Sequence, residues 1–343
     1  MRRVLHLLVL AVVAVAPLRG ADFNDPMTPE MQAAADKGLA YLARMQRPDG
    51  SFDRDGKQIG VAASCALAFM AYGHVPGSGK YGAVTGKVLQ YILNHAHPDG
   101  LLFREGAGNH PMYHHGLACL ALAEAWGQTG DRRIRDALRR ACDLIVATQN
   151  QKGGWRYEPK VSSDDVSVTV MQLMALRAAK DAGLEIPKET IDAGIEYVKN
   201  CHNGKSAGKD GGYGYTPGGK SGWARTGAGI TSLQVAGSYR ATEVMEGIEY
   251  LLAHEPVGTQ PLEDKQWYYY GGYYAAMGMY QGQSLGAVGR QAWAAWYPAF
   301  VKDMLKRQKP EGRWDGGGHE PYGTCMALLI LAVPYRYLPI YQR

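Results

Sequence analysis

The sequence predicts an all-α fold: an (α/α)6 barrel, or α/α toroid, of six helical-hairpin repeats in two concentric rings. Three observations predict it. Glycine-aromatic turns recur along the chain: PDGSF at 48–52, PDGLLF at 98–103, KGGWRY at 152–157, DGGYGY at 210–215 and PEGRWDG at 310–316. Successive turns fall roughly fifty to sixty residues apart, a repeat-type period. One gap is of double length and holds a degenerate copy around DKQWYYYGG at 264–272. Each turn is preceded by an amphipathic helical stretch and followed by one that is apolar nearly all round. Six copies without obvious polar caps favour a ring closed on itself over a continuous solenoid.

The leading stretches, in order, are AADKGLAYLARMQ, VTGKVLQYILNHA, DALRRACDLIVATQ, TIDAGIEYVKNC, VMEGIEYLLAH and WYPAFVKDMLKRQ. Each keeps its charges on one face, as a helix between core and solvent does. The following stretches are VAASCALAFMAYG, HHGLACLALAEAWG, DVSVTVMQLMALRAAKDAG, TGAGITSLQVAGSY, GGYYAAMGMYQG and YGTCMALLILAVPYR. They are rich in Ala and Gly, so they are expected to be buried on most sides and closely packed. Residues 30–343 are expected to form one toroid domain.

Residues 1–20 read as a secretion signal. Arg2 and Arg3 precede an apolar run from Val4 to Ala16 that ends at Pro17 and is short for a membrane span. Export to the periplasm or the exterior is the expectation, with association to the envelope open, and no later segment reads as transmembrane. The chain carries +5 net charge, and Arg2, Arg3 and Arg19 in the leader account for three, leaving +2. That excludes a nucleic-acid binder with a dominant basic face. The five cysteines are odd in number and lack zinc-type spacing, and Cys65, Cys119 and Cys325 read as small buried hydrophobes. No metal or cofactor is expected, and the chain is expected to be a monomer.

Gly38, Tyr41, Leu42, Gln46, Gly50 and Phe52 spell G-x2-Y-L-x3-Q-x3-G-x-F. Gln149, Gly153 and Trp155, and again Gln308, Gly312 and Trp314, spell Q-x3-G-x-W. This pattern resembles the QW repeat of squalene-hopene cyclases and related terpenoid cyclases, in the prenyltransferase/squalene-oxidase repeat group. The resemblance covers residues 30–343 and implies the toroid. The motif also has a physical reading. The aromatic packs on the end of the outer helix, and Gln hydrogen-bonds backbone at a neighbouring helix terminus.

The family's chemical parts are only partly kept. The cyclases protonate substrate from an Asp-x-Asp-Asp-Thr-Ala motif that opens an inner helix. Its first four positions fall on Asp165, Val166, Ser167 and Val168, so the proton-donor position reads Ser167. The Asp-x-Cys and His zinc set of prenyltransferase β-subunits and the Cys-Gly-Glu-Gln thioester signature are absent. The resemblance therefore implies a divergent member.

If the rings alternate direction, all six inner helices begin at one end, and their positive N-termini converge on one mouth. Asp164 and Asp165 there have two readings: helix caps, or an acid in which Asp165 faces inward beside His115 as an acid/base pair. Of His114 and His115, about 100° apart on a helix, His115 is expected to point into the lumen. Tyr113, His114, Tyr157, Trp223, Arg225, Tyr270, Tyr273 and Tyr322 are candidate ligand contacts. The stretch CHNGKSAGKDGGYGYTPGGKSGWART reads as a flap over the mouth or as a surface loop. Lys220 and Arg225 in it favour an anionic ligand.

The expected function is a cavity that binds or processes a lipid or isoprenoid-type ligand. One alternative is a non-catalytic binding or scaffold toroid of the cell envelope. Another is a carbohydrate-active (α/α)6 enzyme, which rests on fold analogy alone.

Overall fold

The computed structural model describes residues 27–108, 110–254, 267–316, 318, 320–336 and 338–341. The leader and Asp264–Gln266 of the degenerate fifth turn lie outside the described residues. Among those described, twelve α-helices carry the fold. The outer set is α1 (Pro29–Met45), α3 (Gly82–Asn94), α5 (Arg132–Thr148), α7 (Lys188–Asn200), α9 (Thr242–Ala253) and α11 (Ala287–Lys306). The inner set is α2 (Ile59–Met70), α4 (Pro111–Thr129), α6 (Val166–Asp181), α8 (Trp223–Val235), α10 (Tyr268–Gly282) and α12 (Glu320–Ala332).

Burial separates the two rings as the hydrophobic pattern requires. In α5 the buried residues are Ile134, Ala137, Leu138, Ala141, Cys142, Ile145 and Thr148, a single stripe at helical spacing. In α2 and α10 every residue is buried. Each inner helix packs on the next, and α12 packs back on α2, so the ring closes. Small residues permit this: a Cβ on Gly227 of α8 would stand 2.9 Å from the Ala275 nitrogen of α10.

The repeated turn motif is the joint between neighbouring hairpins. Gln149 caps the end of α5, and its Nε2 donates to Gly153 O and to Thr190 O in the first turn of α7, both at 2.8 Å. Gln46 makes the same pair of bonds to Gly50 O and Val84 O, and Gln308 to Gly312 O and Ala34 O. The last of these ties repeat 6 to α1. Trp155 and Trp314 donate from Nε1 back to Ile145 O and Met304 O of their own outer helices. The bracing reading of this motif holds.

The tail after α12 is buried at the far end: Ile340 N donates to Glu124 Oε1, and Tyr341 Oη donates to Tyr273 Oη at 3.4 Å.

Candidate functional site

Because the inner helices run parallel, their first turns meet. They enclose a cavity of about 660 Å³, within the usual range for small-molecule sites. α2 contributes Gly60 and Val61, α4 Tyr113, His114 and Leu117, and α6 Ser167 and Met171. α8 contributes Trp223, Ala224 and Arg225, α10 Tyr270 with the preceding Trp267, and α12 Tyr322. Tyr157 and Tyr215 enter from the glycine-aromatic turns of repeats 3 and 4. No carboxylate is among the described lining residues.

One wall is built of hydroxyls backed by a buried charge. Asp165 caps α6: its Oδ1 accepts from Ser167 N at 2.8 Å, Val168 N at 2.9 Å and Ser167 Oγ at 2.5 Å. Its Oδ2 pairs with Arg156 Nη1 at 3.2 Å, and the side chain has no exposed surface. Burial pushes the Asp165 carboxyl up, opposed by the hydrogen bonds from Ser167 and Val168, by the Arg156 charge and by Tyr215. In front of it Tyr113 Oη lies 2.5 Å from Ser167 Oγ. Ser167 gives its only proton to Asp165, so Tyr113 is the donor of that bond. Tyr157 and Tyr215 share a hydroxyl–hydroxyl bond, and the Arg156 guanidinium lies over both rings, 4.3 and 5.3 Å from their centroids.

The next stretch of wall, on α8 and α10, is aromatic with unsatisfied donors. Trp223 stacks on Phe300 with 6.1 Å between ring centroids, and Trp267 meets Tyr270 edge-on. Trp223 Nε1, Arg225 Nε and Tyr270 Oη are buried without hydrogen-bond partners among the described residues. Arg225 Nη2 donates to Ser221 O at 3.3 Å. Buried donors of this kind call for acceptor atoms on a ligand or on water.

Seven of the expected ligand contacts line this cavity: Tyr113, His114, Tyr157, Trp223, Arg225, Tyr270 and Tyr322. Tyr273 does not. It lies deeper in α10, buried against the C-terminal tail through Tyr341. The expected pairing of His115 with Asp165 is also corrected. His115 points outward, with Nδ1 accepting from Leu102 N at 3.0 Å and Nε2 3.2 Å from Ala141 O of α5. With Nδ1 as acceptor, Nε2 carries the proton. Complete burial pushes this imidazole down to about 4, against the weaker pull of Ala141 O and Asp99. Its neighbour His114, one position earlier on the helix, is the one at the cavity, and its Nδ1 accepts from Gly60 N at 3.2 Å.

Asp164 is likewise outside the cavity. It accepts from Asn150 Nδ2 at 2.7 Å within the turn of repeat 3. The long glycine-rich stretch is a hydrogen-bonded loop rather than an open flap. Asn203 holds it through Gly212 O, Gly211 N and Ser221 Oγ, and Tyr215 O accepts from Val166 N at the head of α6. Lys220 in this loop is exposed and outside the cavity lining. Leu117 and Met171 were not anticipated as lining residues. Each follows a lining residue by four positions (Tyr113, Ser167), the spacing that keeps side chains on one helix face.

No protein-family model matches the chain. The sequence is similar to drimenyl diphosphate synthase of Streptantibioticus cattleyicolor, with 27% identity over 153 residues, 44% of this chain. The chain spans only 27% of that synthase. Among solved structures, the type II terpene cyclase MstE from Scytonema superposes with a TM-score of 0.60 at 12% identity, covering 91% of this chain and 100% of that one. The GH76A α-1,6-mannanase of Salegentibacter sp. HEL1_6, solved with α-1,6-mannotriose, superposes with a TM-score of 0.65 at 10% identity over 88% and 97%. These likenesses establish a terpenoid-cyclase-like (α/α)6 toroid, a fold that also carries carbohydrate-active enzymes.

Proposed function

We propose that this toroid holds an isoprenoid-type lipid in its central cavity. The observation that carries the reading is the cavity wall: aromatic faces of Tyr113, Tyr157, Tyr215, Trp223, Trp267, Tyr270 and Tyr322, with no carboxylate among the described lining residues. Tyrosine and tryptophan rings offer apolar faces to a branched hydrocarbon and stabilise positive charge above them. Glycoside hydrolysis uses two carboxylates flanking the bond, so the same wall speaks against the sugar reading. The sequence likeness to drimenyl diphosphate synthase supports the isoprenoid reading over the part of the chain it covers. A second reading, capture without chemistry, is favoured by Asp165 being withdrawn behind Ser167. We further propose that the chain is exported, on the strength of the leader residues Arg2, Arg3 and Val4–Ala16.

The test uses the full chain, purified without harsh detergent. Native mass spectrometry is expected to find a retained prenyl lipid. Farnesol added to delipidated protein is expected to quench tryptophan fluorescence saturably, through Trp223 and Trp267 in the wall. Saturable binding of mannotriose with no response to farnesol would replace the isoprenoid reading by the carbohydrate one.

A further inference from the structure

The hydroxyl wall does more than line the cavity. Ser167 stands where a cyclase-like chain would carry a proton donor, yet its Oγ is bonded on one side to the buried Asp165 and on the other to Tyr113. Both bonds are 2.5 Å, at the short end for hydroxyl donors, and the one to Asp165 is charge-assisted when that carboxyl is ionised. Tyr113 and Ser167 touch the cavity and Asp165 does not. We propose that Tyr113 is the group that exchanges a proton with the cavity occupant, and that Ser167 couples it to the carboxylate of Asp165. The inference rests on the isoprenoid reading for the identity of the occupant.

The relay has two states. With Asp165 ionised, both hydroxyl protons point toward it, and Tyr113 Oη offers a lone pair to the cavity. A carbocation in the cavity then loses a proton to Tyr113 Oη, and the electrons of the broken C–H bond become the new C=C bond. The Tyr113 proton passes to Ser167 Oγ, and the Ser167 proton to Asp165 Oδ1. In the reverse direction the Asp165 O–H bond breaks and the chain shifts back. An alkene π pair takes the Tyr113 proton to form a C–H bond, leaving a cation among the aromatic faces. No other reactant is needed, since one proton is given to the alkene at the start and one is taken from a C–H bond at the end. Burial of Asp165 favours its protonated state, and the facing Arg156 and the N–H groups of Ser167 and Val168 oppose it. Asp165 acts through Ser167 and is therefore a positioning residue.

The groups facing the relay are Arg156, Tyr157 and Tyr215 from the turns, Asp164 and Cys201 beside Asp165, Tyr270, Tyr274 and Tyr322 across the cavity, and His114 next to Tyr113 on α4. His110 lies edge-on to Tyr113, 6.3 Å between centroids. The test is therefore a ligand-free titration of Tyr113 itself. Tyrosine labelled at the ζ carbon is followed by NMR from about pH 4 to pH 9, a window that brackets carboxylate and imidazole titrations, and Tyr113→Phe assigns the resonance. The expected result is one pH-dependent shift of Tyr113 that disappears in Asp165→Asn, which keeps a capping side chain, and in Ser167→Ala. Ser167→Thr restores it. A step that survives in Ser167→Ala would reduce the effect to the through-space charge of Asp165 and overturn the relay. A step that survives in Asp165→Asn would assign it to a neighbouring imidazole, His110 or His114, and overturn the relay, as would the absence of any step in the native protein. Farnesol quenching, run on the same native sample, reports on the occupant alone, so the two ideas fail separately.

Discussion

His115 and three threonines do the same work in different repeats. Trp155 N donates to Thr169 Oγ1, Tyr213 N to Thr226 Oγ1 and Trp314 N to Thr324 Oγ1, at 3.2, 3.0 and 2.9 Å. In repeat 2 the turn nitrogen is that of Leu102, and the acceptor is His115 Nδ1. The equivalence is spatial and not one of sequence register. His115 and Thr226 each stand 13 residues after their turn nitrogen, whereas Thr169 and Thr324 stand 14 and 10 after theirs, so an alignment on the turns does not single out His115 over His114. A pair of histidines read alone does not say which is which. The clamp has a measurable signature. His115 is pushed down to about 4 in the folded state, below an unfolded value of about 6.5. The unfolded chain therefore binds the extra proton between those values, and the stability due to neutral His115 is complete above about pH 6.5. It drains as pH falls toward 4 and is fully lost below it. Urea unfolding should show this loss, on the order of 3 kcal/mol between pH 7 and pH 4, in the native protein relative to His115→Gln, in which the pH-dependent difference vanishes.

At the scale of elements, the turn glycines show why the repeat was legible. Gly50, Gly100, Gly153 and Gly312 all have φ between 89° and 103°. A Cβ on each would fall 2.0 to 2.4 Å from a carbonyl oxygen of the next outer helix. Left-handed backbone and close approach together leave only glycine. Gly183 has φ of 91° but nothing within 4 Å of an added Cβ, which separates the two causes. Gly183→Ala should cost about 1 kcal/mol, the strain of the backbone alone. Gly153→Ala adds a collision with Ala193 O and should cost more than about 3 kcal/mol, read as the shift in urea midpoint. Equal costs would mean that the turn relaxes freely. Other elements were less legible. The charged-apolar alternation of α11 is visible only from Trp296 onward, yet the helix starts at Ala287, because Trp293, Trp296, Tyr297 and Phe300 bury a large aromatic face. The loop from Cys201 to Gly222 reads as open because its glycines carry no pattern. Its order comes from Asn203 and Ser221 bonding across it, a tertiary fact.

Over the whole molecule, the two ends of the barrel are chemically opposite. The end where the inner helices start gathers donors and hydroxyls around a cavity. The far end is sealed by the tail, and the carboxyl there, Glu124, is buried with Oε1 on Ile340 N and Oε2 without a partner among the described residues. Its place on α4 among Ala and Leu gave no sequence sign of this, since the partner nitrogen lies more than two hundred residues away. Burial pushes Glu124 up to about 8, with the Ile340 hydrogen bond opposing and Asp181 adding a little. The folded value thus exceeds the unfolded one of about 4.3. The folded state holds this proton longer, so its contribution to stability is complete below about pH 4.3 and is lost as pH rises through 8. The sign is opposite to that of His115, and near pH 5 to 6 the two trends work against each other. Glu124→Gln keeps an acceptor for Ile340 N and removes the charge that must otherwise be buried or neutralised. The variant should match the native protein near pH 5 and exceed it progressively up to pH 8, by a few kcal/mol in urea unfolding. Hydrogen exchange at Ile340 should report the same change locally: in the native protein its protection falls above pH 8 as the tail loosens from α4, and in Glu124→Gln it does not. Parallel stability curves from pH 5 to pH 9 would mean that Glu124 ionises without strain and that the tail is not a charge-sensitive seal.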